Sequence, residues 1–311
     1  MTTFWHFFLL SAPLFAVVLA GYLIARIPRW RREWTEAASK FVFAALLPAM
    51  LFHLMSDLTK LPPVDARLLI AFFGGCFIVF VIGRIVAARV FRLDGVAQSV
   101  FALGGVFSNN VLLGVPVAKL TLGEEAIPSV ALVLVFNALT LWTLVTVSVE
   151  WARHGSLTLA GFGKTALNVL RNPIVASILL GTAFGLSGLA MPRGIAVVLS
   201  FISQLAAPAA LLVLGMGLAH YGVRREWDRS LAICVLKLVV QPLVVWLLAF
   251  ALGLPEIERN AVVLLASMAT GANVYLMAVQ FDTMQGAIAS TLVMSTALAA
   301  LTTPVLLAAL G

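Results

Sequence analysis

Apolar segments, mostly of about 18 residues or more, follow one another along the whole chain. A helix of that length crosses roughly 30 Å of hydrocarbon. A soluble core of 311 residues has no room for so many apolar faces, so lipid must be the solvent. Composition agrees: 62% of the residues are hydrophobic and 11% charged, where a soluble domain has about 45–50% and about 25%. The fold class predicted is an all-α polytopic membrane protein. Ten spans are read, at residues 4–25, 40–55, 68–88, 98–120, 127–149, 173–189, 195–219, 231–252, 260–281 and 287–310. The first has no basic stretch ahead of it and is long enough to span, so it is taken as a helix and not as a cleaved signal.

The formal charge of +7 does not point to nucleic acid, because the basic residues sit in short loops, where they set orientation. Arg26, Arg29, Arg31, Arg32, Lys40, Arg84, Arg89, Arg92, Arg153, Lys164, Arg171, Arg224, Arg225 and Arg229 fall on the side reached after odd-numbered spans. Lys60, Arg67, Lys119, Arg193 and Arg259 fall on the other. The richer side is cytoplasmic by the positive-inside rule, and ten spans then leave both termini outside. An integral membrane protein is expected. Cys76 and Cys234 lie within apolar segments and read as small buried residues, with no metal or disulfide framework.

The longest connection on the cytoplasmic side is 150–172. Its Gly163-Lys164-Thr165 resembles the end of a phosphate loop, but Thr158 stands where that motif needs its first glycine. A short amphipathic helix lying on the membrane fits better, with Phe162, Ala166, Val169 and Leu170 inward and Lys164 and Arg171 outward.

The two halves of the chain resemble each other. Leu47-Pro48-Ala49-Met50-Leu51 in the second span matches Ala207-Pro208-Ala209-Ala210-Leu211 in the seventh. Asn110-Val111-Leu112-Leu113 in the fourth matches Asn273-Val274-Tyr275-Leu276 in the ninth. Asn110 lies 62 residues after Pro48, and Asn273 lies 65 after Pro208. Matches in the same order at nearly equal spacing argue for a repeat. Each half has five spans, so the second enters the membrane from the opposite side. The organisation expected is a first repeat at 1–149, a linker at 150–172 and a second, inverted repeat at 173–311, with helices 4 and 9 broken and crossing.

Those two spans carry the residues that least suit a helix. The fourth contains Gly104-Gly105-Val106-Phe107-Ser108-Asn109-Asn110 and, further on, Pro116; the ninth contains Thr270-Gly271-Ala272-Asn273. Gly and Asn disfavour helix interiors, and Pro removes a backbone donor. At membrane depth the freed backbone groups must line a cavity or find protein partners. Paired interruptions in two inverted halves are the best sequence pointer to a transport site. A half-helix N-terminus favours an anion, and Ser108, Asn109, Asn110, Thr270 and Asn273 add neutral hydrogen-bonding groups. These five are the candidate substrate-binding residues, and Gly104, Gly105, Pro116 and Gly271 are expected to set the geometry of the crossing. Helix–helix hydrogen bonding is the plainer role for the polar residues.

Lys237 lies within the eighth span. At a helix centre a lysine costs about 2.5–3.5 kcal/mol on an insertion scale. Either it snorkels to the cytoplasmic surface, or it balances carbonyl ends at the crossing or attracts an anion. Gln204, Gln241 and Gln280 are read as packing hydrogen bonds. Asp57, Asp94 and Asp282 are read as solvated acids at span ends. His6, His53, His154 and His220 form no ligand-spaced pair, and Gly181 and Gly185 read as a close helix contact. No HExxH, GxSxG or paired-carboxylate pattern occurs, so an intramembrane enzyme is not expected and no cofactor or metal is implied.

The stretch Ser108-Asn109-Asn110-Val111-Leu112-Leu113-Gly114-Val115-Pro116 resembles the crossover signature of the auxin efflux carrier family. Arg171-Asn172-Pro173-Ile174 and Lys237 ahead of Gln241-Pro242 are similar to its bacterial members. The likeness covers essentially the whole chain. It implies a fold shared with bile-acid and sodium/proton transporters. Spans 1, 2, 6 and 7 would form a scaffold that dimerises, and spans 3–5 and 8–10 a mobile core. It further implies transport of a small carboxylate by elevator-type alternating access, with Asn110 and Asn273 at the crossing and Pro116 shaping it. Two features depart from the family pattern. The 150–172 connection is short where plant members often have a long hydrophilic loop, so auxin itself is not expected. Val279 stands where a second crossover proline belongs, so that break should be gentler. A sodium-coupled organic-acid symporter or a cation antiporter on the same fold is the rival, although the third span lacks the buried carboxylates of the antiporters.

Overall fold

A computed structural model describes residues 2–56, 65–154, 173–220 and 226–310. Nearly all of them are helical, and none lies in a strand. The helices are α1 Thr2–Ala25, α2 Arg32–Phe41, α3 Leu47–Ser56, α4 Arg67–Arg89, α5 Gly95–Gly104, α6 Val115–Thr121, α7 Ile127–His154, α8 Pro173–Leu186, α9 Arg193–Leu218, α10 Trp227–Val235, α11 Gln241–Ala251, α12 Glu256–Ser267, α13 Asn273–Gln280 and α14 Gln285–Leu310. Among the described residues, six stretches are long and apolar enough to cross a membrane: Arg32–His53, Arg67–Arg89, Glu124–Arg153, Arg193–Leu218, Trp227–Ala251 and Gln285–Leu310. Shorter apolar helices lie at Ala12–Ala25, Gly95–Gly104 and Asn110–Thr121.

Prolines explain three irregularities. Wide π-helical turns at Val42–Leu46, Asn110–Gly114 and Leu236–Val240 each sit just ahead of a proline: Pro48, Pro116 and Pro242. In each case the residue four before the proline lies inside the widened turn. The proline ring would strike that residue's carbonyl, and its missing N–H could not bond to it, so the helix opens locally. Pro208 sits inside α9 with no such turn.

The helix holding the second span begins at Arg32, eight residues before the apolar stretch. Its first turns are wet, with Arg32 and Glu36 paired at 2.9 Å, so hydropathy does not register them. The helix of the fifth span likewise runs to His154 instead of ending near 149, taking in the start of the connection. The amphipathic helix and the Gly163-Lys164-Thr165 stretch lie outside the described residues, as does Asp57. Asp94 is not merely solvated: its Oδ1 accepts from the amides of Val96 and Ala97 at 3.0 Å each and caps α5. Cys76 and Cys234 are free and buried.

Glycines set the closest contacts. Gly21 of α1 meets the backbone of α9 at Leu212, and Gly215 of α9 meets that of α1 at Val18. Gly181 and Gly185 of α8 lie against the backbone of α3 at Phe52, Met55 and Ser56. The Gly181/Gly185 pair therefore packs helices within one chain. α9 also lies on α3, which joins α1, α3, α8 and α9 into one packed group. A second group forms around α4, α5, α7, α10, α11, α12 and α14. Its outer face is apolar and exposed, at Ile70, Phe77 and Ile85 of α4 and at Leu243, Leu247 and Phe250 of α11. Such faces belong against lipid.

Candidate functional site

Two chain breaks meet in the middle of the second group. α5 stops at Gly104, and the backbone runs on to the π-helical turn at Asn110. α12 stops at Ser267, Met268 is extended, and α13 restarts at Asn273. The two breaks cross antiparallel as an isolated bridge between Ser108 and Thr270. The Asn109 amide donates to Ala269 O at 2.8 Å, and the Gly271 amide to Phe107 O at 2.8 Å. Each interrupted helix thus supplies the hydrogen bonds that lipid cannot give the other.

The glycines are sites of close approach. A Cβ on Gly271 would stand 3.1 Å from both Phe107 Cδ1 and Ser108 O. On Gly104 it would stand 2.8 Å from Ile233 Cγ2, and on Gly105 3.0 Å from Leu236 Cβ, so these two admit the helix carrying Lys237. Pro116 accounts for the widened turn that opens with Asn110. No such turn follows the second break, where α13 begins directly and Val279 stands in place of a proline.

Lys237 does not reach a surface. It is fully buried, and Nζ donates to Ala266 O and to Gln241 Oε1, both at 2.5 Å. Gln241 turns its other end to the opposite break: Nε2 donates to Val106 O at 2.9 Å and lies 3.3 Å from Cys76 Sγ. Ala266 O belongs to the last turn of α12, and Val106 O lies just past the end of α5. Carbonyls at a helix C-terminus have no partner within the helix and carry the negative end of its dipole. The pair Lys237 and Gln241, four residues apart, reaches both of these ends. The sequence alone suggests a packing role for Gln241; its spacing from Lys237 is the signal that marks it.

The remaining polar groups divide in two. Thr270 is committed to the crossing, since its hydroxyl donates to Gly104 O at 3.0 Å and its amide to Ser295 Oγ at 3.1 Å. A hydroxyl that has spent its proton offers only lone pairs, which a carboxylate does not use. Ser108 Oγ, Asn109 Nδ2 and both amide atoms of Asn110 are buried without a partner. Unsatisfied groups of this kind are uncommon in folded proteins and call for an explanation. Beneath Asn110, a Cβ on Gly114 would stand 3.4 Å from its Oδ1, so glycine leaves that amide room. Asn273 is half-buried in the first turn of α13. Among the other buried groups without a partner is Asn137 Oδ1, which nothing in the sequence singles out. It lies on α7, a helix that touches the Asn110–Gly114 turn.

A protein family described as membrane transport protein matches residues 6–307 of this chain. A protein of Rhizobium meliloti (strain 1021) named "Putative malonate transporter" is 28% identical over 301 residues, covering 94% of this chain and 92% of its own length. With helices built for lipid and a family match over nearly its full length, the chain is an integral membrane transporter and not an enzyme, and it belongs to the auxin efflux carrier family of membrane transport proteins.

Proposed function

We propose that this protein is a secondary transporter of small carboxylates, which bind beside the crossing at Asn110 and Asn273. The observation that carries the reading is the group of unpartnered donors at the first break, Asn110 Nδ2, Asn109 Nδ2 and Ser108 Oγ. A carboxylate only accepts hydrogen bonds and takes up to about four. Amide and hydroxyl donors satisfy it, neither interrupted stretch carries an acid to repel it, and the first-turn amides of the restarting helices add a positive field. The name of the Rhizobium relative supports a dicarboxylate such as malonate. Lys237 acts from behind the crossing as charge balance and does not contact the substrate.

In this reading the chain has ten spans in two inverted repeats of five. Several apolar helices would then cross with help from neighbours, because they are short or broken. The group α1, α3, α8 and α9 serves as a scaffold, through which two copies associate, and the group around the crossing moves against it. The close glycine contacts within the first group support a rigid frame, and inverted halves support alternating access. The membrane is a bacterial inner membrane.

The direct test is counterflow. Proteoliposomes loaded with unlabelled malonate or malate should take up labelled malonate faster than empty ones. Uptake that ignores internal substrate, across a panel of mono- and dicarboxylates, would remove the carboxylate carrier. Orientation is tested separately: reporter fusions at Met1 and at Gly311 should both read non-cytoplasmic, and a cytoplasmic signal from either end breaks the ten-span count.

A further inference from the structure

We propose that the Lys237 ammonium is a tethered monovalent cation, filling a carbonyl-lined cation site built into the crossing. The inference concerns the crossing alone and holds whatever substrate is carried. Its partners are the ones a small hard cation selects: Ala266 O and Gln241 Oε1, both neutral oxygens at 2.5 Å. No carboxylate is among them. A lysine buried to support a fold is expected to meet an acid, because pairing offsets the cost of burying its charge. Here the negative partner is distributed over helix ends. One is the C-terminal carbonyl of α12. The other, past α5, is reached through the Gln241 amide, whose oxygen faces the ammonium while its nitrogen faces Val106 O. That amide can take only one orientation, because the ammonium needs an acceptor and Val106 O needs a donor. Two broken helices leave carbonyl ends without helical partners, and a cation bound to one and linked through the Gln241 amide to the other is the simplest remedy.

The sequence carries the arrangement. Pro242 opens the turn Leu236–Val240, which holds Lys237 and leads into Gln241. Gly105 lets that turn lie against the first break at Leu236, and Gly104 makes room for Ile233 of α10 just ahead of it. The same space without a lysine would be an empty site with oxygen ligands, open to a free ion.

Chemical rescue tests this. Purified parent, Lys237→Ala and Lys237→Met are melted in choline, sodium, potassium, ammonium and methylammonium chloride at equal ionic strength. The parent should melt at one temperature in all five. Lys237→Ala should melt roughly 5 °C or more lower in choline and recover most of the loss in ammonium or methylammonium. Lys237→Met should melt low throughout, since its stem fills the space and excludes the ion. A methionine variant as stable as the parent, or an alanine variant with the same deficit in choline and ammonium, overturns the proposal. If Lys237→Ala does not survive purification in choline, it is purified in ammonium throughout and exchanged at the end. It should then stay monodisperse in ammonium and aggregate on exchange into choline. Identical behaviour in the two salts overturns the proposal. Because the readout is stability and not transport, a failure here is distinct from a failure of the carboxylate reading.

Discussion

Asn110→Asp is expected to weaken carboxylate binding by about 100-fold or more, and Asn110→Ala by about 10-fold. The alanine variant loses one hydrogen bond to a charged group, worth about 1.5–3 kcal/mol, and about 1.4 kcal/mol is a tenfold change. The aspartate variant loses the same donor and sets a second negative charge beside the ligand in a buried place, where like charges repel far more than in water. Protonation of the new acid relieves part of that repulsion, so the deficit should shrink as pH falls. Neither change breaks an internal hydrogen bond, because neither atom of the Asn110 side-chain amide has a partner. In the alanine variant, loss of binding should therefore come with little loss of stability; the aspartate variant also carries the cost of burying an unpaired acid. Asn273→Asp should act in the same direction and less strongly, as Asn273 is only half-buried. The measurement is malonate affinity by calorimetry on detergent-purified variants whose expression and monodispersity match the parent. If both aspartate variants bind as tightly as the parent, the carboxylate lies elsewhere and the crossing is structural.

The sequence announces the breaks because Gly, Asn and Pro each carry a local penalty that reads without any partner. Gly104-Gly105, Asn109-Asn110 and Thr270-Gly271 stand out in apolar surroundings, and the helices do stop among them. What fills the breaks is not legible in the same way. The bonds from Asn109 to Ala269 and from Gly271 to Phe107 are backbone to backbone, and backbone groups are the same at every residue except proline. Thr270 shows the limit well. Its residue type fits a ligand-binding role, and only its contact with Gly104 O reveals that its proton is spent. Lys237 was legible as an anomaly, since a charge in an apolar run demands a partner. The partner was not, because Ala266 contributes its carbonyl and not its side chain. The widened turns were within reach: a proline inside a helical run marks the residue four before it as the one that loses its bond.

The second large effect should come from the contact between α1 and α9. Gly215→Val is expected to leave little folded protein, and Gly217→Val to be nearly silent. A Cβ on Gly215 falls on the carbonyl oxygen of Val18 and stands 2.8 Å from the Tyr22 amide, whereas a Cβ on Gly217 meets nothing within 4 Å. The obstruction at Gly215 is backbone, which cannot rotate aside as a side chain can. Over-packing costs about 1–3 kcal/mol where side chains can shift, and more where they cannot. Relief requires the two helices to part, and that also pulls Gly21 from its place against Leu212. Both glycines lie on the same helix half a turn apart, so helix propensity, hydrophobicity and membrane insertion change equally in the two variants. Only the neighbour differs. The measurement is the monodisperse fraction after detergent extraction, with the melting midpoint of whatever remains. The Gly215→Val midpoint should fall by roughly 10 °C or more if any folded protein survives, and that of Gly217→Val should stay within a degree or two of the parent. Equal behaviour of the two variants would mean that α1 and α9 do not touch at Gly215, and the scaffold proposed for this group would lose its main support.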